Sequence, residues 1–384
     1  MQPGAAMLLC AALVTGTARP VLAQAWQQFA TPEEAGFSRN GLEAVRRHAD
    51  SVQSGALLAV YRGRVLMAQG DVQRELELHS VRKSLVSALY GLGVAEQRIT
   101  LDRTLGELGI VDLRPLTQGE QSAQVRHLIS ARSGVYLPAA YAGADQDRAR
   151  PARDAHAPGT FFLYNNWDFN VAGVIYERLM GEDLYEAFAR RIARPIGMQD
   201  FEPSDGFKVY EPGQSVFPAH TFRMSTRDLA RFGQLYLQHG QWNGKQIIPV
   251  AWIRESTKPH SDFGDGRGYG YMWWVHAAGS LGERYPHLKQ YDAFSASGTG
   301  GQAIIVVPGA DLVVVHRGDT DHNRNVAGRD IWLMVDGILG APLGEPRGQP
   351  RLVSLTPAPL ASQLPAELRR SYLSLNATLL TEYT

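Results

Sequence analysis

Residues 77–102 read ELHSVRKSLVSALYGLGVAEQRITLD, and in them a lysine stands three places after a serine, at the mouth of an apolar helical run. The chain uses lysine sparingly. Its five are Lys83, Lys208, Lys245, Lys258 and Lys289, and other basic positions go to arginine. At about 100° per residue, a helix beginning near Ser80 carries Ser80, Lys83, Ser84 and Ser87 on one side and Leu85, Leu89 and Leu92 on another. The Lys83 amine then reaches back to the Ser80 hydroxyl. A serine hydroxyl is a poor nucleophile until a base takes its proton, and lysine is such a base only when burial depresses its pKa. The start of a helix also points free N–H groups and the positive dipole end at the same spot, so the Ser80 N–H supplies half of an oxyanion hole. The competing reading of a bare Ser-x-x-Lys tetrad is a solvated helix start with Ser80 as N-cap, and the tetrad taken alone leans that way.

Upstream, SRNGLEAVRRHADSV has helical spacing at Leu42, Val45 and Ala49, with Ser38 as N-cap. GALLAVYRGRVLMAQGD follows as two short apolar strands around a turn at Arg62-Gly63. The middle, roughly from Ser80 to Ile253, reads as helix and loop. In STRDLARFGQLYLQHG, Ser225 and Asp228 suggest a capping box, and Leu229, Phe232, Leu235 and Tyr236 share one face. GQAIIVVPGADLVVVHRGD is a second hairpin, turning at Pro308-Gly309-Ala310-Asp311, and VAGRDIWLMVDGILG closes the domain as a helix. This order predicts an α+β fold: one antiparallel sheet built from both ends of the chain and flanked by the terminal helices, with a mainly helical lobe beside it. A cleft between the lobes is the expected place for chemistry.

The chain has 384 residues, 44% hydrophobic and 20% charged, with zero formal net charge. That composition describes a globular protein with a sizeable core. It excludes the basic excess of a nucleic-acid binder. At the N-terminus, Ala5 to Val14 form an apolar stretch of signal-peptide length, followed by VLAQA with small residues for cleavage after Ala23 or Ala25. The domain plan is therefore a signal peptide over 1–25, a single domain over 26–345, and a tail over 346–384. The expected location is periplasmic or secreted. The sole cysteine, Cys10, lies in the leader, so the mature chain has no disulfide. No apolar run reaches membrane-spanning length, and the oligomeric state is not legible. The eleven histidines show no metal-ligand spacing, and there is neither a Gly-x-Ser-x-Gly elbow nor a phosphate loop.

The setting of the tetrad resembles the serine beta-lactamase-related hydrolases of the penicillin-recognising superfamily. The closest branch holds class C beta-lactamases, family VIII esterases and 6-aminohexanoate-dimer hydrolase. The resemblance runs in order through HSVRKSLVSALYGLGV, VRHLISARSGV, PGTFFLYNNWDFNVAGVIYERLMG, FRMSTRDLARFGQLYLQHGQWNG, GYGYMWWV and SGTGGQAIIVVPGADLVVV, over most of residues 27–340. It implies a beta-lactamase/transpeptidase-like fold, no cofactor, and a small-molecule ester, amide or lactam substrate. It also implies Ser80 as nucleophile, with Lys83 and Tyr164 managing its proton. The Tyr-x-Asn motif in FLYNNWD gives Tyr164, with its phenolate brought below the ordinary value of about 10, and Asn166 to orient Lys83 or bind substrate. The third motif falls on Ala296-Ser297-Gly298. Ser297 and Gly298 then face substrate, and the Thr299 N–H completes the oxyanion hole. Ala296 replaces the family's cation, which holds the carboxylate of penicillins and D-alanyl peptides, unless Arg223 or Arg267 substitutes. The expected activity is therefore cleavage of an ester or amide through a Ser80 acyl-enzyme. A beta-lactamase or D-Ala-D-Ala carboxypeptidase and a non-catalytic binding relative are the alternatives. Trp273 and Trp274 read as cleft lining or core, and His79 as structural.

Overall fold

A computed structural model of the chain describes residues 25–143, 146, 148–345 and 349–355. The leader proper and the tail beyond residue 355 lie outside the described residues. A ten-stranded sheet is assembled from both chain ends, as the element order predicts. The strands that matter below are β1 (Gln27–Phe29), β2 (Ala56–Tyr61), β3 (Arg64–Gly70), β4 (Leu76–Glu77), β5 (Gly206–Val209), β6 (Ala219–Met224), β7 (Ser261–Asp262), β8 (Arg267–Tyr269), β9 (Trp274–His276), β10 (Ala293–Gly298), β11 (Gln302–Val307), β12 (Leu312–Arg317) and β13 (Leu352–Ser354). The sheet order is β13-β1-β3-β2-β12-β11-β10-β9-β8-β7. Every pairing is antiparallel except β1 with β3. β13 falls within the segment read as a tail and adds the edge strand beside β1.

Central strands read as continuous apolar runs because both faces are covered. Leu57, Ala59, Val314 and Ile305 pack with Leu42, Val45, Met334 and Val335 of helices α1 (Arg39–Ser51) and α3 (Gly328–Leu339). The alternate residues Leu58, Val60, Val313 and Ile304 face Leu229 and Phe232. These last two belong to the helix Thr226–Leu237, which crosses the opposite face. The first hairpin turns on Arg62 (φ 49°) and Gly63 (φ 70°), the paired left-handed residues that match strand twist. Ser38 caps α1, accepting from the Gly41 N–H. Ser225 caps its helix likewise. The expected capping box does not close, because the Asp228 carboxylate instead accepts the N–H groups of Gln199, Asp200 and Phe201.

The helical lobe is built around α2 (Arg82–Ala95), which is buried all round from Arg82 to Gly91. Over those residues neither the Lys83-Ser84-Ser87 side nor the Leu85-Leu89 side meets solvent. Ser84 and Ser87 satisfy themselves by donating to the carbonyls of Met272 (2.6 Å) and Tyr271 (2.7 Å). A 3₁₀ turn, His79–Val81, precedes α2, and Ser80 sits inside that turn rather than capping it.

One side chain ties this turn to the sheet. Arg317, at the end of β12 and fully buried, donates to Gln302 Oε1 (2.6 Å), to the carbonyl of Met224 at the end of β6 (2.6 Å), and to that of Leu76 in β4 (2.7 Å). β4 leads directly into the turn that carries Ser80. Removing the guanidinium strands several buried acceptors, each costing about 1–3 kcal/mol. Arg317→Met is therefore expected to lower the free energy of unfolding by about 3 kcal/mol or more in urea titrations, and Arg317→Lys, with one point donor, to recover only part of it.

Candidate active site

Lys83 Nζ lies 2.7 Å from Ser80 Oγ, one helical step back. The lysine is 2% exposed. Burial first, and the neighbouring Arg82 guanidinium second, hold its amine well below the ordinary 10.5. Arg82 is itself buried, donating to Asn170 Oδ1 (3.3 Å) and lying over the Tyr141 ring. The Lys83 amine faces two aromatic rings, with its nitrogen 4.6 Å from the Tyr164 centroid and 4.8 Å from that of Phe169. An ammonium at that point meets two π faces, and among the described residues no carboxylate pairs with it.

Tyr164 hydrogen-bonds with Ser80, but burial dominates and pushes its phenol up to about 12. This reverses the direction expected from the sequence. A phenol raised this far keeps its proton at neutral pH, whereas burial favours the uncharged form of the Lys83 amine. Trp274, half-buried, stacks on Tyr164 at 5.4 Å and continues toward Phe162 and the more exposed Phe263. Trp273 is the core member of the pair, packed edge-on against Phe294.

The sheet reaches the same point through β10. A Cβ built on Gly298 would stand 2.6 Å from the Leu78 carbonyl and 3.0 Å from the Ser80 nitrogen. Only glycine lets the strand end this close to Ser80. Ser297 and Thr299 on either side are exposed. Asn166 opens the helix Asn166–Met180, where Asn165 is the N-cap. Its amide donates to the Tyr141 carbonyl, and its Oδ1 is buried without a hydrogen-bond partner among the described residues. The amide group is thus held by Tyr141 rather than by Lys83.

Ser80, Lys83, Tyr164 and Gly298 therefore converge, although they come from a turn, a helix, a loop and a strand. Tyr141 was missed. It lies in the loop LPAAYAG, which carries no motif, yet its hydroxyl contacts Glu77 and His79 and its carbonyl holds Asn166. Among the described residues, no cluster of three His, Cys, Asp or Glu is placed to hold a metal, and no helix is long and apolar enough to cross a membrane.

The family model described as Beta-lactamase matches residues 42–333. The chain belongs to the Beta-lactamase family. Solved structures similar to it include a class C beta-lactamase, with 15% identity and a TM-score of 0.60 over 80% of this chain and 97% of that one. A Bacillus anthracis protein assigned as a 6-aminohexanoate-dimer hydrolase has 21% identity and a TM-score of 0.59, over 77% and 81%. EstCE1, a hydrolase with promiscuous acyltransferase activity, has 17% identity and a TM-score of 0.56, over 78% and 98%. At these identities the likeness shows the fold. No curated protein matches the chain.

Against this family the departure at Ala296 is physical as well as sequential. Its side chain is 2% exposed within the apolar cluster that also holds Leu85 and Phe294. Neither arginine considered as a substitute cation is poised there. Arg223 is engaged by Asp321 (2.6 Å) and the Glu75 carbonyl (2.9 Å), and Arg267 is exposed and clamped to Asp265.

A lysine amine depressed by burial leaves a thermodynamic mark. Between its depressed folded pKa and the ordinary 10.5, the unfolded chain binds a proton that the folded one does not, so wild-type stability rises with pH across that window. Lys83→Met lacks this contribution. It is expected to be more stable than wild type at pH 7, with the gap closing as pH approaches 10.5, and to acylate at least about a hundredfold more slowly. Urea unfolding at a series of pH values, beside single-turnover acylation, checks both. A gap that does not change with pH contradicts the burial argument.

Proposed function

We propose that the protein is a serine hydrolase that cleaves neutral ester or amide bonds through an acyl-enzyme on Ser80. The observation that carries this is the 2.7 Å contact between the Ser80 hydroxyl and a buried amine, whose proton affinity burial lowers. Ser80 Oγ attacks the substrate carbonyl as its proton passes to Lys83 Nζ. The N–H groups of Ser80 and Thr299 receive the oxyanion. Collapse breaks the carbonyl–heteroatom bond, and the leaving alcohol or amine takes its proton from Lys83 through Tyr164. Water then attacks the acyl carbon, returning a proton to Lys83 by the same route, and Ser80 leaves with its hydrogen restored.

The substrate class follows from what lines the site. Ala296 offers no charge to a carboxylate, and Trp274 with Phe162 and Phe263 forms an aromatic wall beside Tyr164. An uncharged acyl or alkoxy group with apolar surface suits that wall better than an anionic penicillin or D-alanyl peptide. The buried Asn166 Oδ1 offers an acceptor to a substrate amide N–H. Export to the periplasm or medium is proposed on the apolar Ala5–Val14 segment. N-terminal sequencing of exported protein is expected to start at Gln24 or Trp26, and a chain retained uncut in the cytoplasm contradicts it.

A panel of short-chain p-nitrophenyl esters, anilides and nitrocefin, read by turnover and by the intact mass of acylated enzyme, tests the reaction. The expected result is ester turnover with kcat/KM at least about tenfold above nitrocefin. Fluorophosphonate labelling is expected to disappear in Ser80→Ala. Faster nitrocefin turnover favours a beta-lactamase, and folded protein without labelling favours a binding relative.

A further inference from the structure

The residue just before Ser80 has a backbone that resists its own side chain. His79 has φ 48°, in the left-handed region where a residue with a Cβ is strained. Such a conformation persists when its surroundings fix it, and here both ring nitrogens are bound. Nδ1 lies 2.8 Å from Tyr141 Oη, and Nε2 lies 3.2 Å from Thr320 Oγ1. The hydrogen directions can be assigned. Tyr141 gives its single proton to the Glu77 carboxylate, so its oxygen accepts from His79 Nδ1–H. With burial favouring the neutral imidazole, Nε2 accepts from the Thr320 hydroxyl. The imidazole and phenol rings lie parallel, 6° apart in plane.

Thr320 has a second contact that gives this chain a purpose. Its methyl group fills the space in front of Gly300, where a built Cβ would fall 2.0 Å from Thr320 Cγ2. Gly300 (φ 78°) follows Thr299 directly, and its carbonyl accepts from the Val326 N–H (3.2 Å). One side of the bridge thus ends on the residue before Ser80, and the other on the residue after Thr299.

We propose that His79 and Thr320 form a bridge that sets the spacing of the two oxyanion N–H groups, which makes both positioning residues for acyl transfer. This rests on the reading of Ser80 as the nucleophile. Neither side chain touches the reacting atoms. They hold the helical lobe's donor and the sheet's donor at a fixed separation, and a donor displaced by a fraction of an ångström is felt only once charge develops on the carbonyl oxygen. The glycine pair after Thr299 makes the restraint necessary, because a Gly-Gly turn does not hold its own conformation.

The test uses Thr320→Val, which keeps the methyl packing and removes the hydroxyl, and Thr320→Ser, which does the reverse. His79→Gly is a second probe, since glycine accepts φ 48° without strain but cannot bridge. Measured on the full chain are kcat and KM for a p-nitrophenyl ester, the inhibition constant of a phenylboronic acid, whose tetrahedral adduct places an oxygen in the oxyanion hole, and thermal unfolding. Thr320→Val and His79→Gly are expected to lower kcat about tenfold or more and to weaken the boronate in proportion, with KM within about twofold. Thr320→Ser, which keeps the hydroxyl bond but leaves Gly300 unbraced, is expected to lose part of kcat and of boronate affinity, and unfolding to be little changed in Thr320→Val. Wild-type kcat and boronate affinity in Thr320→Val and His79→Gly overturn the bridge, as does Thr320→Ser with both at the wild-type level. Persistence of ester turnover in Ser80→Ala overturns the underlying reading instead, so the two failures are distinguishable.

Discussion

The structure is organised around the cost of burying one amine. A lysine held out of water cannot keep its proton cheaply, and Lys83 is buried with no carboxylate partner among the described residues. Instead Lys83 lies between the Tyr164 and Phe169 rings, beside a second buried cation, with its nitrogen on the Ser80 hydroxyl. An exposed lysine in the same position would stay charged and useless as a base. The all-round burial of α2, the Arg317 tie from the sheet to β4, and the close approach of Gly298 keep that neighbourhood dry and fixed.

Two lobes have to meet for this to work, and the chain path explains how. Ser80 and Lys83 belong to the helical lobe, whereas Gly298 and Thr299 belong to the sheet that both chain ends complete. β4 pairs with β6 of the small sheet, whose third strand is β5, and so aligns the segment entering the Ser80 turn. Arg317 then binds that segment to the end of β12. A family fold shared with hydrolases of different substrate classes fits this division. Lys83 is built into one lobe's interior, whereas the surfaces around it come from loops and strand ends. Ala296 lies buried among apolar side chains, and an aromatic surface lies beside Tyr164.

Much of the fold was legible because it depends on local pattern. The Arg62-Gly63 turn, the strands on either side of Pro308–Asp311 and the Leu42-Val45-Ala49 stripe each follow from periodicity and turn chemistry. The motif residues were legible by resemblance, and the structure brings Ser80, Lys83, Tyr164 and Gly298 together. What the residues did not reveal depends on long-range packing. Asp228 reads as a capping-box partner but is drawn to the three N–H groups of residues 199–201. Tyr164 was expected to lose its proton more readily, yet the dryness that lowers the lysine raises the phenol, since burial always opposes the charged form. Tyr141 and Thr320 lie far from Ser80 in sequence, in segments without a motif, and the strain at His79 is a property of the backbone that no side-chain pattern announces.

The proposed chemistry requires the Lys83 amine to be neutral in the folded protein near pH 7. The small number of lysines makes its charge directly observable, because carbon-13 labelling at Cε yields signals from five residues, and the one lost in Lys83→Met identifies its own. This signal is expected to titrate well below the other four, whose side chains are all less buried. If the Lys83 signal titrates with the others near the ordinary lysine value of about 10.4, the amine is charged at neutral pH and the proposed chemistry has no base.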